Sequence, residues 1–129
     1  MRPCILSISG KDGINYLIKT VLSSKYQIIL SNNVFEAGLK MRTTKSINLA
    51  IVDIDHRTTE SVEFISHLST SSIYRLPLII LHTDKNVLLE SCPEIRCFKS
   101  FQKPFNPIHL FETVNRCLAK EPAETLIRN

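Results

Sequence analysis

The sequence has few of the features on which small metal-binding, membrane-spanning or nucleotide-binding proteins depend. Its cysteines form no C-x-x-C pair and no histidine stands at zinc-finger spacing, so we expect free thiols rather than a zinc site. The longest apolar runs are strand-sized, too short to cross a bilayer, and the start carries no signal-peptide pattern. The few glycines form no G-x-G-x-x-G phosphate loop. These absences predict a cytoplasmic protein with no membrane association. The four cysteines expected as free thiols are Cys4, Cys92, Cys97 and Cys117.

The length and composition are those of one globular domain. The chain has 129 residues, of which 43% are hydrophobic and 22% charged, so it can bury a core without metals or disulfides. Residues 121–129 carry no clear apolar stripe. We therefore predict a domain over residues 1–120, followed by a tail or the start of a linker.

The net charge of +4 raises the question of nucleic-acid binding, and the excess lies in the N-terminal part of the chain. The local basic cluster is Lys40, Arg42 and Lys45, at the end of a predicted helix. Cations at that position complement the helix dipole, so a solvated helix end is the favoured interpretation. Nucleic-acid contact through these residues is the weaker alternative.

Short apolar segments alternate with amphipathic stretches along the chain. This alternation predicts strands at residues 4–9, 26–30, 49–53, 77–81 and 98–102, each followed by a helix. The fourth helix falls within residues 85–97, which Pro93 interrupts, and the last helix is expected to end near Lys120. Such an arrangement predicts a doubly wound α/β fold with a five-stranded parallel sheet.

Capping residues mark the predicted helix starts. Asn33 with Glu36 forms a box-like arrangement, and Asn106 precedes a proline at the first helical position. Asp12 is expected to cap the first helix, whose polar face carries Asn15 and Lys19. Either Thr58 or Thr59 is expected to cap the third helix.

Polar residues stand at the ends of three predicted strands. The run from residue 49 to Asp53 is apolar throughout, which is typical of a central strand covered on both faces, and it ends in a carboxylate. The pair His82 and Thr83 ends the fourth strand, and Lys103 ends the fifth. Ligands of open α/β sheets bind at the carboxyl ends of the strands, so these side chains define the candidate functional edge.

The order and spacing of these segments resemble the receiver domain of two-component response regulators over residues 4–120. Leu-Ala-Ile-Val-Asp, ending at Asp53, is similar to the phosphoacceptor strand of that family, and Lys103-Pro104-Phe105 is similar to its Lys-Pro-Phe turn. The resemblance implies a flavodoxin-like (βα)5 fold with strand order 2-1-3-4-5. It also implies phosphotransfer from a histidine kinase to Asp53, Mg²⁺ held by nearby carboxylates, and Lys103 in contact with the phosphoryl oxygens.

The metal-binding part of the family pattern is altered in this sequence. The family has an acidic pair at the end of strand one, where Ser9 and Gly10 stand here. Asp55 and Asp12 are the remaining candidates for a carboxylate ligand, and we expect Asp12 to serve as a cap instead. The sequence therefore predicts a weak Mg²⁺ site or none.

The switch residues implied by the resemblance are also replaced. His82 stands where the family has Thr or Ser, and Ser100 stands where it has an aromatic residue. Thr83 comes one position late, and Phe101 is expected on the opposite face of its strand from Ser100. We expect His82 to be exposed or hydrogen-bonded locally, with a new metal-binding or phosphoacceptor role as the less favoured alternative.

Two hypotheses follow from this pattern. In the first, the protein is a regulatory module, not an enzyme, in which Asp53 is a salt-bridge partner of Lys103 and phosphorylation is impaired or absent. It then binds a histidine kinase or another signalling protein, or dimerises through the last helices and strand. In the second, Asp53 is a functional phosphoacceptor that controls an output such as transcription. Residues expected near the dimerisation face are Arg96, Lys99, His109 and Arg116.

Overall fold

The computed structural model of the protein describes residues 2–44, 46–55, 57–70, 76–84 and 98–128. Its five strands are β1 (Cys4–Ile8), β2 (Gln27–Ser31), β3 (Leu49–Asp53), β4 (Leu78–His82) and β5 (Phe98–Gln102). Its helices in these ranges are α1 (Asp12–Leu22), α2 (Val34–Thr43), α3 (Thr58–Thr70) and α4 (Pro107–Arg128). Every strand lies within one residue of its predicted position, and the fourth predicted helix, at residues 85–97, lies outside the described residues.

The strands form one parallel sheet in the order β2-β1-β3-β4-β5, which confirms the predicted fold class and strand order. The register pairs Ile8 with Val52, Asp53 with Leu81, and His82 with Gln102. Since all strands run in the same direction, their carboxyl ends meet at one edge of the sheet. The side chains that follow β1, β3, β4 and β5 are therefore brought together there.

The sheet separates two apolar layers, and β3 contributes to both. Ala50 and Val52 pack with residues of α2 and α3, whereas Leu49 and Ile51 pack with residues of α1 and α4. All five residues of β3 are buried. This confirms the prediction that the strand is central and covered on both faces, and it explains why its sequence does not alternate between apolar and polar residues.

Two helix starts agree with the sequence. The Asn33 side chain accepts a hydrogen bond from Glu36 N, while the Glu36 carboxylate accepts one from Asn32 N. The Asn106 side chain accepts from Ile108 N at 2.9 Å. The Asn33 and Asn106 side chains each satisfy a backbone donor of the first helical turn, which is why asparagine favours this position.

Two other predicted caps are wrong. Asp12 is the first residue of α1 and Lys11 precedes it as the N-cap, without a side-chain capping bond. The Asp12 carboxylate instead accepts a hydrogen bond from Asn32 Nδ2. Thr58 is already helical, and its hydroxyl donates to Ile54 O rather than accepting from a helical N–H. The Asp12 side chain therefore contacts the loop after β2, and the Thr58 side chain contacts the segment just before α3, instead of capping their helices.

The last helix is longer than expected. The prediction of an end near Lys120 is wrong because α4 continues to Arg128. The prediction relied on the loss of the apolar stripe, but alanine and glutamate after Lys120 favour the helix through intrinsic propensity alone. The helix continues even though Pro122 lacks the N–H that an intrahelical bond would use.

The cysteines and the helices can be compared with the predictions of free thiols and of no membrane span. Cys4 and Cys117 form no disulfide; Cys117 is partly buried, and burial of Cys4 raises the pKa of its thiol. Cys92 and Cys97 lie outside the described residues. Within the ranges that the structure describes, every helix is too short or too polar to span a membrane.

Candidate functional site

The site lies where the loops after β1, β3, β4 and β5 meet. Asp53 is the last residue of β3, and Lys103 directly follows β5. The backbone N–H of Lys103 donates to His82 O at 2.9 Å, which holds the start of its loop against the end of β4. The Lys103 ammonium then lies 2.7 Å from Asp53 Oδ1. The predicted convergence of Asp53, His82 and Lys103 at this edge is confirmed.

Protein donors occupy both oxygens of Asp53. Oδ2 accepts a hydrogen bond of 2.7 Å from the Ser9 hydroxyl, at the end of β1. Oδ1 accepts from Asp55 N at 3.1 Å in addition to its ion pair with Lys103. The Asp53 side chain is only 1% exposed. A narrow pocket beside it, lined by Phe35 and other residues, has a volume of about 10 Å³, roughly the space of one water molecule.

Asp55 is the second partner of Lys103. The ammonium lies 3.0 Å from Asp55 Oδ2, so a single lysine bridges two carboxylates. Thr83 N donates to Asp55 Oδ1 at 2.9 Å, and the Thr83 hydroxyl donates to Oδ2 at 2.6 Å. The Asp55 side chain is 22% exposed, far more than that of Asp53. The ionic cluster therefore has a buried carboxylate and an outer one.

These contacts keep the outer carboxylate and the lysine charged. Burial alone would raise the pKa of Asp55, but the hydrogen bonds from Thr83 and Lys103 outweigh it and the pKa lies below its ordinary value. Burial alone would lower the pKa of Lys103, but the hydrogen bonds to Asp53 and Asp55 outweigh it and the pKa lies above its ordinary value. The lysine is a fixed positive charge at neutral pH.

A buried polar network holds Ser9 in place. Ser9 N donates to Ser31 O on β2, and the Asn15 amide donates to both Ser9 O at 3.3 Å and Ser31 O at 3.0 Å. The Ser7 hydroxyl completes the network by donating to Asn15 Oδ1 at 2.9 Å. Asn15 is 4% exposed, so its predicted place on the polar face of the first helix is wrong. The buried amide is satisfied because it donates to the backbone carbonyls of Ser9 and Ser31 and accepts from the Ser7 hydroxyl.

The chemistry of the donor set bears on the implied Mg²⁺. Such a site requires oxygen ligands, usually one or two carboxylates that are open to a hydrated ion. Here all four carboxylate oxygens of Asp53 and Asp55 accept from protein donors, and a lysine stands between them. Asp12 does not lie close enough to form a metal-binding group with them. Among the described residues, no three His, Cys, Asp or Glu side chains are grouped so that they could hold a metal ion. A Mg²⁺ ion at these carboxylates would therefore have to compete with Lys103 and with the hydrogen-bond donors already in place.

The switch positions differ in their surroundings. His82 is only 2% exposed, so the prediction of an exposed histidine is wrong. The residue is buried because it is the last residue of β4, which lies between β3 and β5 in the sheet. Ser100 pairs with Ile80, whose side chain packs with α2 and α3. Phe101 packs with the opposite layer, as predicted, and contacts the Phe105 ring edge-on with centroids 6.1 Å apart.

Two surface predictions can be placed on the fold. Lys99, His109 and Arg116 line one open groove of about 650 Å³ between β5 and α4, whereas Arg96 lies outside the described residues. Arg42 is exposed and Lys45 is not described. The Lys40 ammonium donates to Leu30 O and is therefore committed to the backbone of β2, which leaves less of the predicted basic cluster for a ligand.

The sequence did not identify Ser9 and Asn15 as parts of the site. It identified Thr83 at the end of the fourth strand but did not predict its contact with Asp55. A signal existed for Asn15, which is in helical phase with the buried Ile18 and Leu22. For Ser9 the signal was weaker, because a serine after a strand is common in loops.

The fold and this site can be compared with solved structures. The structure is similar to the signal receiver domain of an HD domain-containing protein from Pseudomonas fluorescens Pf-5, with a TM-score of 0.81 and 16% identity over 95% of this chain and 99% of that one. Chemotaxis protein CheY4 of Vibrio cholerae gives a TM-score of 0.79 and 21% identity over 92% and 100% of the two chains. A response regulator from Thermotoga maritima gives 0.76 and 20% over 92% and 99%.

No family model and no curated protein matches the sequence. At these low identities the structural likeness defines the fold alone. That fold is the CheY-like flavodoxin fold of signal receiver domains, with the strand order observed here.

Proposed function

We propose that the protein is a receiver-like module of two-component signalling that regulates by binding a protein partner, and that Asp53 serves as an ion-pair partner rather than as an efficient phosphoacceptor. The fold shared with signal receiver domains supports the first part. The second part rests on one observation: Lys103 bridges Asp53 and Asp55 while Ser9 donates to the remaining oxygen of Asp53.

The state of Asp53 supports weak nucleophilicity. To accept a phosphoryl group, a carboxylate oxygen must be reachable and must keep a free lone pair aimed at phosphorus. Both Asp53 oxygens accept from Ser9, Asp55 or Lys103, and the side chain is 1% exposed. A phosphodonor would have to displace one of these contacts and open the narrow pocket beside the carboxylate.

The charge balance supports the same proposal. Phosphoryl transfer to a carboxylate needs cations that offset the repulsion between two anionic groups. The single charge of Lys103 is already shared between Asp53 and Asp55. Ser9 supplies a hydroxyl at the position where a metal-binding carboxylate would have to stand, so we infer that Mg²⁺ binds weakly or not at all.

Intact-mass measurement after incubation with Mg²⁺ and acetyl phosphate tests the proposal. The wild-type protein should gain no phosphoryl adduct, whereas Ser9→Asp, which adds a carboxylate beside Asp53, should gain Mg²⁺ affinity and a measurable adduct. Ser9→Asn is the matched control, because it has a similar size without the charge. A wild-type adduct that maps to Asp53 and is lost in Asp53→Asn would overturn the proposal.

The second candidate is a working phosphoacceptor that controls an output such as transcription. The contact of 2.7 Å between Lys103 and Asp53 favours it, because this lysine is already placed to contact an added phosphoryl group. The mass measurement separates the two candidates, since this one requires the wild-type adduct that the first excludes.

A further inference from the structure

Three donors from two different loops converge on the Asp55 carboxylate. Thr83, after β4, donates its N–H at 2.9 Å and its hydroxyl at 2.6 Å, and Lys103, after β5, brings its ammonium to 3.0 Å. Asp55 itself belongs to the loop after β3. One side chain therefore connects three loops at the functional edge.

This set of donors has the chemistry of an oxyanion site. A backbone N–H, a hydroxyl and an ammonium that point at one place bind carboxylate or phosphate oxygens through charge-assisted hydrogen bonds. The outer side of the Asp55 carboxylate faces solvent, since the side chain is 22% exposed. A small anion could reach the same donors if this carboxylate were removed.

The donors should stay in place without Asp55. Lys103 keeps its shorter ion pair with Asp53, and Asp53 is held by Ser9. The Thr83 backbone directly follows β4, whose last residue pairs with Gln102 of β5. The position of the site is therefore fixed by the sheet and by Asp53.

We propose that Thr83 and Lys103 form an oxyanion-binding cradle and that the chain's own Asp55 occupies it as a built-in ligand. Asp55 thereby holds the loops after β3, β4 and β5 in the arrangement that an added anion would otherwise impose. This inference rests on the proposed function for its regulatory meaning, because it makes the state of the module independent of phosphorylation. The ligands that this cradle would bind are small planar or tetrahedral oxyanions, such as carboxylates and inorganic phosphate.

A tethered carboxylate competes strongly with free anions. Because the fold holds Asp55 against these donors, its effective concentration at the cradle far exceeds that of millimolar anions in solution. The wild-type protein should therefore be insensitive to acetate and inorganic phosphate. Removal of the carboxylate should create a site that these anions can fill.

The test uses Asp55→Ala with sodium acetate or inorganic phosphate, followed by amide NMR at Thr83 and Lys103 and by thermal melting. We expect saturable shifts with dissociation constants of about 1 to 10 mM, typical of a few hydrogen bonds, and a melting temperature that the anion raises towards the wild-type value. Acetate and phosphate are separate arms, which show whether the cradle prefers a planar or a tetrahedral anion. Glu63→Ala, which makes the same change in net charge at an exposed position of α3, should show neither effect.

Two further variants keep the test decisive. Asp55→Ala combined with Thr83→Val should bind the anions several-fold more weakly, because one donor is lost. Asp55→Asn preserves side-chain size, so it should remain folded and respond less than Asp55→Ala. The inference is overturned if Asp55→Ala shows no saturable shift, if Glu63→Ala or the wild type responds equally, or if no anion restores a poorly folded Asp55→Ala. Since none of these results depends on a phosphodonor, failure here is distinguishable from failure of the proposed function.

Discussion

The Lys103 ammonium lies 2.7 Å from Asp53 Oδ1, and the two side chains are 14% and 1% exposed. A buried carboxylate in this setting requires a compensating cation, because the protein interior solvates charge far less well than water does. Lys103 supplies that charge to Asp53 and, at 3.0 Å, to Asp55. The pair therefore has a structural role before any signalling role is considered.

Replacement of Lys103 by methionine should strongly destabilise the fold. The variant leaves Asp53 buried without its cation, and loss of one partner of a buried pair costs about 3 to 5 kcal/mol. Urea unfolding measures the loss as a lower midpoint. Lys99→Met is the matched control, because Lys99 is exposed on β5 and its replacement should change stability by less than about 0.5 kcal/mol. Equal stability of the two variants would contradict the structural role of the pair.

The ionic cluster should make stability dependent on pH at both extremes. The pKa of Asp55 is lowered on folding, so its contribution is complete above its unfolded value near 3.8 and is lost as the pH falls below it. The pKa of Lys103 is raised, so its contribution is complete below its unfolded value near 10.5 and is lost as the pH rises above it.

Thermal melting across this range should give a plateau between the two limits, with losses outside it. Asp55→Asn removes the acid-side titration of this group, so its stability should fall less steeply below pH 3.8 than that of the wild type. Parallel acid-side curves for the two proteins would show that Asp55 does not contribute.

Asn15 should be important for stability although it makes no contact with Lys103 or Asp55, because its side chain holds the backbone around Ser9. Asn15→Ala removes the side-chain donor to Ser9 O and Ser31 O and the acceptor of the buried Ser7 hydroxyl, which should cost about 1 to 3 kcal/mol. Faster amide exchange at Ser9 would localise the effect. Lys19→Ala, on the exposed face of the same helix, should be nearly neutral, and a comparable loss in this control would argue against a specific role of the network.

The groove between β5 and α4 should mediate self-association if the predicted dimerisation face is correct. Arg116 lines this groove, so Arg116→Glu should lower the concentration-dependent mass measured by light scattering. Lys19→Glu makes the same charge change on α1 and should leave the mass unaltered. A wild-type protein that stays monomeric at all concentrations would reject this face as a dimer interface.

The fold was largely predictable, because strand and helix periodicities are local and each strand was placed within one residue. The edge location of Asp53 and Lys103 was also predictable, since Asp53 ends an apolar run and Lys103 directly follows a predicted strand. The contact between Ser9 and Asp53 was not, because these residues are 44 positions apart and meet only when β1 and β3 pair. The pairing of Thr83 with Asp55 depends likewise on the packing of two loops. The full extent of α4 could not be predicted from the apolar stripe, because the helix continues after Lys120 through residues of high helix propensity that carry no such stripe.

The most direct test of the central claim is a titration of the wild-type protein with beryllofluoride in the presence of Mg²⁺, followed by amide NMR. Beryllofluoride mimics a phosphoryl group on a carboxylate and needs the same open oxygen and the same metal. The account predicts that the amides of Asp53, Thr83 and Lys103 do not shift, because Ser9, Asp55 and Lys103 already occupy the carboxylate. Saturable shifts at these amides, absent in Asp53→Asn, would contradict it.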